Sequence, residues 1–156
     1  MESSITKHEK NLGAIIHVST FSKYFIPFGN FIGPLILWTS NKSTSEFVDY
    51  NGKQALNFQI SILLYSILIG ILAIPFFFFS AWDVIGFHDL LDHNTHNINL
   101  DIDDIFNFRK GWMYLGIAGI LGLSLFILDL FCTIMAAIKT SEGNYYKYPL
   151  TINFIK

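Results

Sequence analysis

Apolar and polar stretches alternate along the 156-residue chain in a pattern that predicts membrane helices. Residues Ile60 to Phe79 carry no charge, and Ala55 to Gln59 extend that run. About twenty apolar residues in a helix cover a hydrocarbon core of roughly 30 Å. Pro75 near the end is tolerable there, because neighbouring groups in a bundle satisfy the freed carbonyl. A second run, Trp112 to Ile138, holds a single charge, Asp129. A third, Leu12 to Ser40, is interrupted by Pro27, Gly29, Gly33 and Pro34, with Lys23, Tyr24 and Asn30 around the break. It reads either as one kinked helix or as two short helices in a hairpin whose apex lies near Lys23 to Asn30.

The polar segments add detail. In Asn41 to Gln54, Ser43 and Glu46 have capping-box spacing. That predicts a short surface helix through Phe47, Val48 and Tyr50, with Asn51-Gly52 as a turn or a weak point where a helix enters the membrane. Ser80 to Lys110 is the one long polar segment, with Asp83, Asp89, Asp92, Asp101, Asp103 and Asp104. Amphipathic pieces flank it: Trp82, Val84, Ile85 and Phe87 before, Ile102, Ile105, Phe106 and Phe108 after. In the tail, Tyr148, Leu150, Ile152 and Phe154 alternate with Pro149, Thr151 and Asn153. That predicts an extended, half-buried strip along one membrane face.

Composition agrees with a membrane assignment. Hydrophobic residues make up 52% of the chain and charged residues 14%, against roughly 25% charged in soluble domains. The net charge of −2 gives no sign of nucleic-acid binding. Cys132 is the sole cysteine, which excludes an internal disulfide and a thiolate zinc cluster. His17 and Lys23 interrupt the first apolar stretch and no cleavage site follows it, so no removable signal peptide is expected.

Charge placement chooses between the two readings of the first stretch. In the hairpin, Lys7, Lys10, Lys42, Lys53, Lys139, Lys147 and Lys156 share one side, with Lys23, Arg109 and Lys110 on the other. That is a positive-inside partition. A single span gives none. The expectation is an all-α, polytopic transmembrane bundle of four helices, the first two a short Pro/Gly-broken hairpin. It forms one integral membrane domain over residues 1–156, with a polar extracytoplasmic loop at 80–111. Both termini are then cytoplasmic, in a bacterial inner membrane.

Asp129 is the sharpest chemical feature. It lies ten residues before Lys139, roughly 15 Å along a helix, at a depth where a carboxylate costs about 3 kcal/mol. Gly122, Asp129 and Ala136 share a face, with Thr133 and Gly119 beside it, which suits close helix packing. On the preceding span Asn57, Ser61 and Tyr65 form a polar stripe, expected to face Asp129. The carboxylate reads as a structural hydrogen-bond acceptor, a contact to a partner subunit, or an ion or proton site. No second acidic residue lies in a span, which argues against a protease dyad. His88, His93 and His96 stand among the loop aspartates as weak metal candidates, and a solvated loop is the simpler reading. No cofactor is expected.

Three stretches, YFIPFGNFIGPLILW (24–38), FVDYNGKQALNFQISILLY (47–65) and AAIKTSEGNYYKYPLTINFIK (136–156), together resemble a bacterial family of small Tic-twenty-like membrane proteins. That family is distantly similar to the Tic-type import component of the chloroplast inner envelope. The resemblance implies a four-helix arrangement and raises protein translocation or envelope biogenesis as a setting. It supplies no catalytic residues. Lys23 and the long polar loop depart from its pattern.

The expected role is a non-enzymatic accessory or scaffold subunit, in contact with lipid and with other membrane subunits. The alternative is a small oligomeric channel or transporter using Asp129.

Overall fold

In the computed structural model, residues 5–85 and 102–156 are described, and all their regular structure is helical. The order is α1 (Lys7–Ser19), a 3-10 turn (Thr20–Tyr24), α2 (Gly29–Asn41), α3 (Glu46–Ile85) and α4 (Ile102–Ser141). Two of these helices are long and apolar enough to cross a membrane, through Glu46–Pro75 and Gly111–Ser141. Only 17% of each apolar window is buried within the protein. Their apolar surface therefore faces outward, as lipid contact requires and as the core helix of a soluble domain does not.

The first apolar stretch is a hairpin. A box closes the start of α1: the Thr6 hydroxyl accepts from Glu9 N–H, and the Glu9 carboxylate accepts from Thr6 N–H. The break runs from Thr20 to Phe28, where Phe28 takes a left-handed conformation (φ 59°). Pro27 lies in that turn and Gly29 opens α2, whereas Gly33 and Pro34 sit inside α2. At Gly33, a Cβ would stand 2.8 Å from the Ser19 carbonyl, so the glycine lets the two arms touch.

Two local expectations fail. The Ser43–Glu46 box and the separate surface helix do not form: α3 starts at Glu46 and continues unbroken for 40 residues. Asn51-Gly52 is not a turn but lies within that helix. Gly52 lies against the Trp38 side chain, where a Cβ would overlap a ring carbon. The amphipathic flanks of the polar loop are also helical as far as described, ending α3 and opening α4.

The described chain forms two compact units. Residues 5–64 and 126–156 make the first. One apolar cluster there joins Ile16, Trp38, Val48, Ala55 and Leu56, and a second joins Phe58, Cys132, Ala136 and Tyr148. The second unit, described over residues 65–85 and 102–125, is a helical pair. Ile69, Leu72 and Ala73 line an apolar groove there with Tyr114, Ile117, Ala118 and Leu121.

The tail departs from the expected strip. Tyr148 is buried, but Leu150, Ile152 and Phe154 are exposed. The backbone, not the side chains, faces inward. Asn57 Oδ1 accepts from the amides of Phe154 (3.1 Å) and Ile155 (2.8 Å), and Asn57 Nδ2 donates to the Ile155 carbonyl. Ser61 Oγ accepts from Ile152 N–H.

Candidate functional site

The first unit holds an unusual density of buried polar side chains. His17, Thr20, Asn51, Gln54, Asn57, Gln59, Ser61, Asp129, Thr133 and Thr140 are all buried. Several of them fall into two hydrogen-bonded sets, one around Asp129 and one around His17.

The first set surrounds Asp129, which is 3% exposed. Its Oδ2 is paired with the Lys23 ammonium, brought in by the 3-10 turn. Its Oδ1 accepts from Gln59 Nε2 at 2.8 Å. Gln59 Oε1 in turn accepts from Asn30 Nδ2 at 3.0 Å. One carboxylate thus ties the turn, α2, α3 and α4 together. A buried carboxylate with both oxygens engaged and a counter-ion in contact satisfies the rule for buried charge.

The second set centres on His17. Asn51 Nδ2 donates to the Phe47 carbonyl, which fixes Asn51 Oδ1 as an acceptor. That oxygen receives Thr140 Oγ1–H (3.0 Å) and His17 Nε2–H (3.0 Å). His17 Nδ1 must then accept, and the Tyr148 hydroxyl supplies the proton at 2.9 Å. The network assigns a neutral imidazole with its proton on Nε2. Tyr148 also stacks on Phe58, with ring centroids 4.1 Å apart. Thr133 Oγ1 is buried beside the Tyr148 hydroxyl without completing a hydrogen bond.

The expected polar seam therefore assembles with different members. Asn57 and Ser61 hold the tail, and Tyr65 belongs to the second unit. The partners of Asp129 are Gln59 and Lys23, two residues that stripe counting passes over. Lys23 was expected on the far side of the membrane, yet it serves as the counter-ion. The packing face also divides. Ala136 is fully buried, but Gly119 and Gly122 are exposed, with no atom within 4 Å of where a Cβ would stand. His88, His93 and His96 lie outside the described residues. Among the described residues, no three His, Cys, Asp or Glu side chains converge as a metal site.

Chemically, the buried sets are well suited to holding helices and the tail in register. Their hydrogen-bond demands are almost all met from within the protein, which leaves little unused capacity for a substrate.

The sequence as a whole carries a stronger signal. The family model for magnetosome magnetite crystal formation proteins (MamF/MmsF) matches residues 8–155. The chain belongs to that magnetosome family. Membership corrects the Tic-twenty-like resemblance, and the suggested link to protein translocation falls with it. Family and span-length helices together make this a bacterial membrane protein. No curated protein and no solved structure matches the chain.

Proposed function

We propose that this chain is a non-enzymatic membrane accessory of magnetite crystal formation, presenting an acidic loop to the growing mineral. The observation that carries this reading is the match to the magnetite crystal formation family over residues 8–155.

The distribution of charge supports it. Asp83 lies at the end of α3, Asp89, Asp92 and Asp101 lie between α3 and α4, and Asp103 and Asp104 lie at the start of α4, against Arg109 and Lys110 further along that helix. Seven of the eight other basic residues cluster towards the opposite ends of the two long helices or on the segments beyond them. The positive-inside tendency assigns that lysine-bearing side to the cytoplasm. The acidic loop then faces the compartment where the crystal grows. Carboxylate oxygens are hard donors that suit iron ions and an iron oxide surface. Iron is here the substrate, and the loop acts by binding and positioning it. The buried Asp129 and His17 sets serve as scaffold, holding the two long helices that carry the loop.

Complementation in a magnetite-forming bacterium lacking its own copy tests the reading. The wild-type chain restores crystal size. A chain with these six aspartates changed to Asn reaches the membrane in equal amount but leaves crystals as in the deletion strain. Full restoration by the neutralised chain would refute it.

A further inference from the structure

The contacts of the α1–α2 hairpin form two ladders that show how far it reaches. Along α1 and the turn after it, Lys10 Nζ donates to the Glu142 carbonyl, Gly13 packs beside Thr140, and Lys23 pairs with Asp129. Each step along the hairpin is a step up α4 from its C-terminal end. Along α2 the order reverses. Asn30 Nδ2 meets Gln59, Trp38 covers Gly52, and Trp38 Nε1 donates to Asp49 (2.8 Å). Both arms therefore begin and end at the lysine-bearing side. The ladders converge on the Gln59–Asp129 hydrogen bond.

That convergence sets a depth. Asp129 is roughly 15 Å along α4 from Lys139. The apolar part of α4 runs on from Asp129 to Gly111, a further ~27 Å at 1.5 Å per residue. A hairpin that turns back at Asp129 does not cross a core of roughly 30 Å.

The tip is built for hydrocarbon, not water. Phe25, Ile26 and Phe28 are 88%, 55% and 70% exposed. No charge occurs from Tyr24 to Asn41, and the nearby Lys23 is engaged by Asp129. Leu63, Leu64, Phe131 and Ile134 of the same unit also expose apolar side chains. Several backbone groups of the turn are bonded internally, as a lipid setting favours. Ser22 Oγ donates to the carbonyls of Ser19 (2.7 Å) and Gly29 (2.6 Å), and Thr20 Oγ1 donates to that of His17 (2.8 Å). The amides of Phe25 and Ile26 donate to the Ser22 carbonyl, and that of Gly29 to the Ile26 carbonyl.

We propose that α1 and α2 form a re-entrant hairpin seated in the lysine-side leaflet, its Phe25–Ile26–Phe28 tip in contact with acyl chains.

Single-cysteine variants of the full chain in a Cys132→Ala background, reconstituted in phosphatidylcholine vesicles, test this. Thr44→Cys, in the exposed α2–α3 connection, reacts with a membrane-impermeant maleimide from one side. Phe25→Cys is expected to react at least roughly tenfold more slowly from either side. A spin label at residue 25 is expected to collide with oxygen more than with a water-soluble nickel chelate. Ready labelling of Phe25→Cys from the side opposite Thr44→Cys overturns the proposal in favour of a spanning hairpin. Ready labelling from the same side overturns it in favour of a surface hairpin. Ile26→Cys gives a second reading should Phe25→Cys fold poorly.

Discussion

Lys23, on the turn between α1 and α2, is the counter-ion of Asp129, 106 residues further along the chain. Breaking a buried pair by removing one partner typically costs about 3 kcal/mol, because the other charge is stranded. Lys23→Met and Asp129→Ala are each expected to destabilise the protein by about that amount. The double variant is expected to lose clearly less than the sum, since neither charge is then left alone. Unfolding in mild detergent, followed by circular dichroism, supplies the four values of the cycle. Strict additivity would mean that the pair is not coupled.

Two glycines separate tight from open surroundings. Gly52 lies against the Trp38 ring, and Gly119 has nothing near it. Gly52→Ala is expected to cost about 1–3 kcal/mol through overpacking. Gly119→Ala is expected to be neutral or to stabilise by up to ~1 kcal/mol from helix propensity. Thermal melts of the two purified variants give the comparison. A marked loss at Gly119 would show that a partner packs on that face.

Asn57 anchors the tail through three hydrogen bonds to Phe154 and Ile155. Asn57→Ala is expected to release the last residues while the helices persist. Hydrogen exchange at the Phe154 and Ile155 amides should quicken by at least roughly tenfold, the loss of about one hydrogen bond of ~1.4 kcal/mol. Unchanged protection would mean that packing alone holds the tail.

Acid should loosen the start of α1. Bonds from the Ser45 hydroxyl and from the Thr6 amide and hydroxyl hold the exposed Glu9 carboxyl down at about 2, from an ordinary 4.5. A carboxyl depressed on folding contributes stability that is present above its unfolded pKa and lost as pH falls towards its folded pKa. The contribution therefore fades between pH 4.5 and about 2. Amide exchange in the first turn of α1 should speed up across that window, and Glu9→Gln should flatten the response.

Much of the fold was legible because long apolar runs and lysine placement are global signals. The two spans and the hairpin follow from them. Registers between helices were not legible. Asn57 and Gln59 are two residues apart, and only the packed structure tells which meets Asp129 and which meets the tail. The Asn51-Gly52 pair misled because turn propensity is weaker than the requirement of a close Trp38 contact. The true box at Thr6 and Glu9 had the same spacing signal as the false one at Ser43 and Glu46. The tail pattern misled because in lipid an apolar side chain turns outward without penalty, leaving the backbone to face the polar interior.

The most direct test of the functional account is mineral growth on reconstituted vesicles. Magnetite is precipitated from mixed ferrous and ferric iron on the acidic-loop face, and particle size is measured by electron microscopy. The wild-type chain is expected to shift the size distribution relative to protein-free vesicles. The six Asp→Asn changes should abolish that shift. An equal shift from the neutralised chain, or from wild type with iron supplied only on the lysine-bearing face, would contradict the account.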